Sequence, residues 1–456
     1  MPTNPKRVHF IAIGGSVMSS LAIALAMKGL EVSGSDDEIF DPTRSALKAH
    51  SLLPEKEGWY SENITPDLDA VILGMHARMD NPELKKAQEL NIPIYSYPAF
   101  VYEQSKNKKR VVVGGSHGKT TVTSMIMHVL KSAGVDFDYL VGARVPGFEV
   151  QIKLSDAPIL VVEGDEYLSS PIDPRPKFLQ YHHHIGIVTG TAWDHINVFP
   201  TAADYVRQFE LFAENTPQGG ALIYSEEDAQ AVQICGKERE GVSRFPYQAH
   251  AHVIENGITY LLTDGAKVPL KIFGKHSMQN INATLSAVRL LGVSDEAFYK
   301  AIQSFEGAAN RMQLLAENGS TRVYKDFAHA PSKVAATVKA LKEQDTHKKL
   351  VAALELHTFS SLNKKFLSQY KNTLASADEA YIYYNPHTVE MKRLEAIAPQ
   401  EILDAFASPK ARVYTDSQQL INDLLAQDHS QAHVLFMSSG NFNHLNLLEI
   451  ARQIAS

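Results

Sequence analysis

Unbroken apolar runs alternate with amphipathic stretches along most of this chain. Val8–Ile13, Ala70–Leu73, Val111–Val113, Pro158–Val162 and Ile185–Thr189 lack polar alternation, the pattern of strands buried on both faces. Glu31–Asp36 reads as a further strand with an acid at its tip. Between these runs, Val17–Lys28, Lys119 to about Ser132, and Ile281–Leu291 show helical periodicity and stop at Gly29, Gly134 and Gly292, the residue that most often ends a helix. Asn81-Pro82 marks a turn ahead of another helix. Late in the chain Thr321–Tyr324, Leu350–Leu356, Ala380–Tyr384 and His433–Met437 alternate with helical stretches. Strands alternating with helices predict open α/β sheets in succession.

The strand Arg110–Val113 runs into Gly114-Gly115-Ser116-His117-Gly118-Lys119-Thr120-Thr121. Glycines let backbone N–H groups close around a phosphate chain, Lys119 adds charge at the terminal phosphates, and Thr120 puts a hydroxyl where Mg²⁺ would sit. The helix that follows turns its positive end to the anion. The longer form of this pattern wants glycine at Val113, so only the shorter form is present. The alternative is a glycine-rich turn with an exposed lysine.

Near the N-terminus Gly14-Gly15-Ser16 joins a strand to a helix, the opening of a nucleotide-binding βαβ unit. The dinucleotide fingerprint fails, because its second and third glycines fall on Ser16 and Ser19. NAD, a nucleotide-sugar and a purely structural unit all stay open on these residues alone. Ser35 and Asp36 close the second strand, and His76 follows the third.

Glu163-Gly164-Asp165-Glu166 ends a buried strand, where α/β sheets keep their ligands. Behind a phosphate loop, Glu163 is a candidate Mg²⁺ ligand. His195 in Trp193-Asp194-His195 is a second candidate or a loop histidine. His182-His183-His184 tempts a transition-metal reading, but consecutive extended residues point to opposite faces, so structural roles are expected. His276 and Asn280, ahead of the helix at Ile281, either serve adenine or cap that helix. Lys106–Arg110 reads as a solvated basic linker.

Composition narrows the class. Hydrophobic residues make up 44% of 456 residues and charged ones 21%, as in ordinary globular proteins. The net charge of −7 offers no field for nucleic acid. Cys235 is the one cysteine, expected to be a packing residue. No uncharged apolar run is long enough to span a membrane. A cytoplasmic protein acting on small molecules is expected, with no nucleic-acid or membrane partner.

Taken together, these motifs resemble the Mur ligases, ATP-dependent amide ligases of bacterial cell-wall precursor synthesis. Gly115–Thr121 looks like the family's phosphate loop, and Glu163 and His195 match its metal positions. Gly274-Lys275-His276-Ser277 to Asn280 resembles its adenine motif, with Ser277 replacing the first Asn. Arg311 matches the arginine that reaches the γ-phosphate. Asp326-Phe327-Ala328-His329-Ala330-Pro331 resembles a segment whose Asp holds nucleotide and whose His lies near the reacting groups. The resemblance implies ATP and Mg²⁺, with Lys119, Arg311, His195 and His329 in catalytic roles. Lys325 stands where relatives often carry another Asp, and Gly190 and Ala192 replace the family's Asn and Glu. These departures leave a non-catalytic nucleotide-binding regulator as an alternative of another class.

Within the family, Ile13–Met18 resembles the turn that binds UDP-N-acetylmuramate in the branch acting on the free sugar nucleotide. Gly14, Gly15, Ser16, Met18, Ser35, Asp36 and His76 become its candidate contacts. No lysine falls between His195 and Lys237, where other branches carry a carbamylated one. Some members of this branch add L-alanine and others L-alanyl-γ-D-glutamyl-meso-diaminopimelate. Glu163–Tyr167, Asp173–Phe178 and Ser438–Phe442 resemble the tripeptide-adding kind. Leu356-His357-Thr358 lacks the arginine usual in alanine adders. His357, Ser439 and Asn441 are the candidate contacts for the incoming amine substrate. The resemblance implies a Rossmann-like UDP-binding domain over 1–106, a central P-loop ATPase-like domain over 107–308 and a C-terminal Rossmann-like domain over 309–456, in a monomer or weak homodimer.

Overall fold

A computed structural model describes residues 5–193, 198–255, 257–307 and 312–456. The chain forms two compact units. The first takes Met1–Thr191, Ala203–Tyr247 and Ala283–Ser294; the second takes Ala192–Ala202, Gln248–Asn282 and Asp295–Ser456.

In the first unit, β1 (Arg7–Ile11), β2 (Glu31–Ser35), β3 (Ala70–Leu73) and β4 (Ile94–Ser96) form a parallel sheet in the order β2-β1-β3-β4. The order reverses between β1 and β3, so the turn after β1 and the loop at Gly74–His76 flank the crevice where such sheets bind ligands. A larger sheet holds β5 (Lys109–Gly114), β6 (Asp138–Leu140), β7 (Ile152–Lys153) and β8 (Ile159–Glu163). After the hairpin of β9 (Leu168–Ser170) and β10 (Asp173–Pro176), it gains β11 (Ile185–Val188), β12 (Ala221–Ser225) and β13 (Ser243–Tyr247). Its order is β13-β12-β11-β5-β8-β6-β7, parallel but for β7 at the edge. Val111, Val112 and Val113 are fully buried at its centre, as their unbroken apolar run predicts. The carboxyl end of β5 therefore lies between those of β8 and β11.

The second unit opens with an antiparallel sheet of β14 (His252–Glu255), β15 (Ile258–Thr263) and β16 (Ala266–Leu270). A six-stranded sheet follows: β17 (Gln313–Glu317), β18 (Arg322–Asp326), β19 (Lys349–Leu356), β20 (Glu379–Tyr384), β21 (Ala411–Tyr414) and β22 (Ala432–Met437), in the order β17-β18-β22-β19-β20-β21. β19 shows the period of two that builds its core. Leu350, Ala352, Leu354 and Leu356 pack with Val334, Val338 and Leu341, whereas Val351 and Ala353 pack with Leu420, Leu424 and Ile450.

The α/β class expected from the apolar runs is the one observed. Two local expectations are corrected, and one sheet went unread. The helix expected from Ile281 begins at Lys275 and runs to Leu290, because Gly274, at φ +87°, supplies the left-handed residue that turns the chain into it. The basic run Lys106–Arg110 is not a solvated linker. Lys108 is buried against Asp138 at 2.7 Å and donates to the Ser155 and Ala157 carbonyls. Arg110 is buried in β5, with its guanidinium on the carbonyls of Ser105, Lys106, Lys108 and His182. The antiparallel sheet β14–β16, short and broken by Gly257 and Gly265, left no long apolar run to read. As expected, His183 is structural: it is buried, bonded to Thr216 Oγ1 at 2.9 Å, and tilted on Phe212. Cys235 is buried too, its thiol pushed up to about 12 by burial.

Candidate active site

The loop after β5 is shaped by its own backbone. Gly118 takes φ +79° and caps the helix Lys119–Ser132 without a side-chain cap, a conformation that costs a residue with a Cβ. The Ser116 N–H donates to the Gly190 carbonyl at 2.9 Å, tying the loop to the chain beyond β11. The departure at Gly190 has a steric reason: a Cβ there would lie 2.1 Å from Cε1 of His117. The ring of the loop histidine occupies the room that a side chain at 190 would need. Thr191 in turn donates from N and Oγ1 to the Asp228 carboxylate, an acid that no local motif singled out.

Two carboxylates from the end of β8 meet the loop. Glu163 Oε1 accepts from Thr120 Oγ1 at 2.7 Å, and its Oε2 accepts from the Gly142 N–H at 2.7 Å. A hydroxyl and a carboxylate this close make a hard oxygen pair suited to Mg²⁺, which takes few protein ligands and completes its shell with phosphate and water. The Thr120–Glu163 pair thus fits that ion. Among the described residues no cluster of three or more His, Cys, Asp or Glu offers a closed metal cage. Glu166 is fully buried and bridges the Lys119 ammonium, at 2.6 Å, to the Tyr205 hydroxyl, at 3.0 Å. Burial opposes the charge of Lys119, but Glu166, with Asp165 and Glu163 behind it, outweighs burial and holds the lysine's proton above the ordinary value. Glu166 stands in the acidic run, yet nothing in its spacing marked it as the lysine's partner, and Tyr205 carried no signal.

In the four-stranded sheet the Gly14 N–H donates to Asp36 Oδ2 at 2.6 Å. Asp36 is buried, and burial pushes its carboxyl up to about 6 against the pull of that N–H. Met18 and Ser35 are buried beside the turn, and Ser16 and His76 are exposed at its mouth. Ser35 Oγ donates to the fully buried Glu83, which also accepts from the Tyr60 N–H and from Asn63. These contacts bring Gly14, Gly15, Ser35 and Asp36 to one strand-end crevice.

In the second unit His276 lies in the first turn of its helix, half-buried, and Asn280 is buried one turn on. Asp326, at the end of β18, accepts from the backbone N–H of Met312 at 2.7 Å and of Ala328 at 2.8 Å. Its carboxylate thus fixes the chain just past Arg311. His329 Nδ1 pairs with the Phe327 carbonyl at 2.7 Å. At the carboxyl ends of β19 and β22, buried Glu355 accepts from Ser438 Oγ and, at 2.8 Å, from the Phe442 N–H. His357 Nδ1 sits 3.8 Å from its other oxygen. The Ser439 hydroxyl is buried with no hydrogen-bond partner among the described residues, and Asn441 pairs with His444. His357, Ser439 and Asn441 therefore belong to one loop pair organised by Glu355, which no motif announced. His195 and Arg311 lie outside the described residues.

Comparison with known proteins covers the same span. The Mur ligase family catalytic domain matches residues 7–109, the Mur ligase middle domain 113–288, and the Mur ligase glutamate ligase domain 310–440. The chain is 28% identical over 455 residues to the Escherichia coli UDP-N-acetylmuramate–L-alanyl-γ-D-glutamyl-meso-2,6-diaminoheptandioate ligase, covering 97% of this chain and 98% of that one. It is 30% identical over 386 residues to the Arthrobacter UDP-N-acetylmuramate–L-alanine ligase, covering 82% of this chain and 80% of that one. The crystal structure of the Thermotoga maritima UDP-N-acetylmuramate–alanine ligase superposes with a TM-score of 0.70 at 20% identity over 98% of both chains. At that identity the likeness speaks for the fold.

Proposed function

The chain belongs to the Mur ligase family, ATP-using amide ligases, and from that premise we propose that it joins the lactyl carboxylate of UDP-N-acetylmuramate to the amine of L-alanyl-γ-D-glutamyl-meso-diaminopimelate. The observation that carries an ATP-driven ligation is the meeting of Lys119 and the Thr120–Glu163 pair at adjoining strand ends. The tripeptide as acceptor is supported by Glu163–Tyr167, Asp173–Phe178 and Ser438–Phe442, and by the full-length likeness to the Escherichia coli relative. The second reading, L-alanine as acceptor, draws on the Arthrobacter relative.

In this reading the lactyl carboxylate oxygen attacks the γ-phosphorus of ATP, the bond to the bridging oxygen breaks, and ADP leaves. The amine nitrogen then attacks the acyl carbonyl, phosphate departs, and the nitrogen loses a proton. Lys119 meets the charge that develops on the γ-phosphoryl oxygens, and the backbone N–H groups of Gly115–Thr121 orient the phosphates. Thr120 and Glu163 would hold Mg²⁺, which neutralises phosphate charge when bound, with His195 as a further ligand. Arg311 is assigned to the γ-phosphate, and Asp326 and the His276–Asn280 turn to the nucleotide. Gly14, Gly15, Ser16, Met18, Ser35, Asp36 and His76 take the UDP-sugar. His329 positions or deprotonates the amine beside His357, Ser439 and Asn441. The domains are 1–106, 107–308 and 309–456, in a cytoplasmic monomer or weak homodimer. Among the described residues no helix is long and apolar enough to cross a membrane.

The test is phosphate release with ATP, Mg²⁺ and UDP-N-acetylmuramate, comparing the tripeptide with L-alanine. Release with the tripeptide is the expected result. Release with L-alanine alone would establish the second reading instead.

A further inference from the structure

The turn Glu163–Glu166 shares out three carboxylates. Glu163 takes Thr120 and Glu166 takes Lys119, as described above. Asp165 takes a second ammonium, that of Lys177, at 2.7 Å. Lys177 reaches this place by backbone contacts: its N–H donates to the Tyr167 carbonyl at 2.9 Å, and the Phe178 N–H donates to the Asp165 carbonyl at 3.0 Å. Phe178 anchors the segment beneath the phosphate loop, so close that a Cβ on Gly114 would lie 2.9 Å from its ring. Two aromatic rings flank the ammonium, Tyr97 at 5.7 Å and Tyr167 at 5.5 Å. Tyr97 opens the helix Tyr97–Glu103 that follows β4, whereas Tyr167 follows β8. Lys177 therefore stands where the small sheet meets the phosphate-loop sheet.

The reaction proposed above needs a cation there. A carboxylate must approach an already anionic phosphate, and like charges at close range repel strongly wherever water is thinned out. Lys119 serves the phosphate side. Lys177 is the other ammonium held by this turn, and one carboxylate is its hydrogen-bond partner among the described residues, leaving donors on a group that carries three. Its side chain keeps 15% exposure and that of Asp165 36%, so a ligand carboxylate reaches the pair without unfolding anything. We propose that Lys177 binds the carboxylate of the acyl donor, and that Asp165 is its resting counter-ion. The proposal rests on an acyl donor that carries a carboxylate, as read above.

The experiment measures calorimetric Kd values for UDP-N-acetylmuramate and for UDP-N-acetylglucosamine, which lacks the lactyl carboxylate. Wild type is expected to prefer the former. Lys177→Met should weaken UDP-N-acetylmuramate about 100-fold, the scale of losing one partner of a desolvated charge pair. UDP-N-acetylglucosamine and ATP should bind as before. Lys177→Arg should restore most of the preference. Equal weakening of both sugar nucleotides, or no change in either, would overturn the proposal and leave Lys177 a packing residue. Asp165→Asn covers a Lys177→Met chain that does not fold: it frees the ammonium, so UDP-N-acetylmuramate should bind at least as tightly, and weaker binding would overturn the proposal. A wild-type chain that binds neither sugar nucleotide would instead remove the acyl-donor reading itself.

Discussion

The ammonium of Lys119 rests 2.6 Å from a carboxylate oxygen of Glu166, a residue 47 positions further along the chain and fully buried. The contact makes the phosphate-loop lysine part of a buried ion pair, with Tyr205 on the far oxygen. Removing one side of such a pair leaves a charge stranded in the interior, at a cost of about 3–5 kcal/mol.

Lys119→Ala is therefore expected to lose stability as well as ligation. Lys119→Ala combined with Glu166→Gln should recover most of the melting temperature, because the stranded charge is gone, yet still release no phosphate. UDP-N-acetylmuramate affinity should be unchanged in the double variant, since the candidate contacts Gly14, Ser35 and Asp36 lie on the four-stranded sheet and Lys177 keeps its own partner, Asp165. A double variant that melts no higher than Lys119→Ala would show that Glu166 does not carry the charge in the fold.

Glu163→Gln keeps the shape of the side chain and an oxygen to accept from the Gly142 N–H, but it replaces the oxygen facing Thr120 with an NH2 and removes the negative charge. The Mg²⁺ concentration for half-maximal phosphate release should rise, by about tenfold or more. An unchanged Mg²⁺ dependence would take Glu163 out of the metal site.

What the sequence made legible follows from how local each signal is. The strand at Val111–Val113, the glycines, Lys119 and Thr120 are contiguous, so one stretch announces the whole loop. Glu163 was legible because a strand end points at a sheet's ligand side. Glu166 and Tyr205 were not, since their pairing joins residues 39 apart that share no spacing rule. The basic run at Lys106–Arg110 misled for a related reason: charge predicts exposure until distant partners such as Asp138 bring it inside. Glu355 hid within the apolar run of β19, where its neighbours mark it as core and only the loop at Ser438–Phe442 gives it a task.

Glu355 makes its own prediction. Glu355→Gln leaves an acceptor in place but exchanges a charge-assisted pair of bonds for weaker ones. The loop that carries Ser439 and Asn441 should loosen, raising KM for the amine substrate by about tenfold while the Kd for ATP stays put. Equal changes in both would mean that Glu355 supports the unit as a whole and not the loop.

The buried histidine of the His182–His184 run gives a prediction in pH. Burial, with smaller repulsions from His184, His182 and Arg110, pushes His183 down to about 3. Its buried ring lies tilted on Phe212, 4.1 Å between centroids, where water has no room to solvate a proton. Between about pH 3 and pH 6.5 the unfolded chain binds a proton that the folded chain refuses, so the free energy of unfolding rises with pH across this window. This contribution is complete above pH 6.5 and is lost as the pH falls toward 3. His183→Phe cannot titrate and should show a shallower dependence, by at most about 1.4 kcal/mol per pH unit. Urea unfolding at matched pH values measures both slopes. Identical slopes would mean that His183 carries its proton in the fold. In that case Thr216 Oγ1, 2.9 Å from Nε2, would have to act as an acceptor, and a neutral ring against Phe212 would be the wrong description.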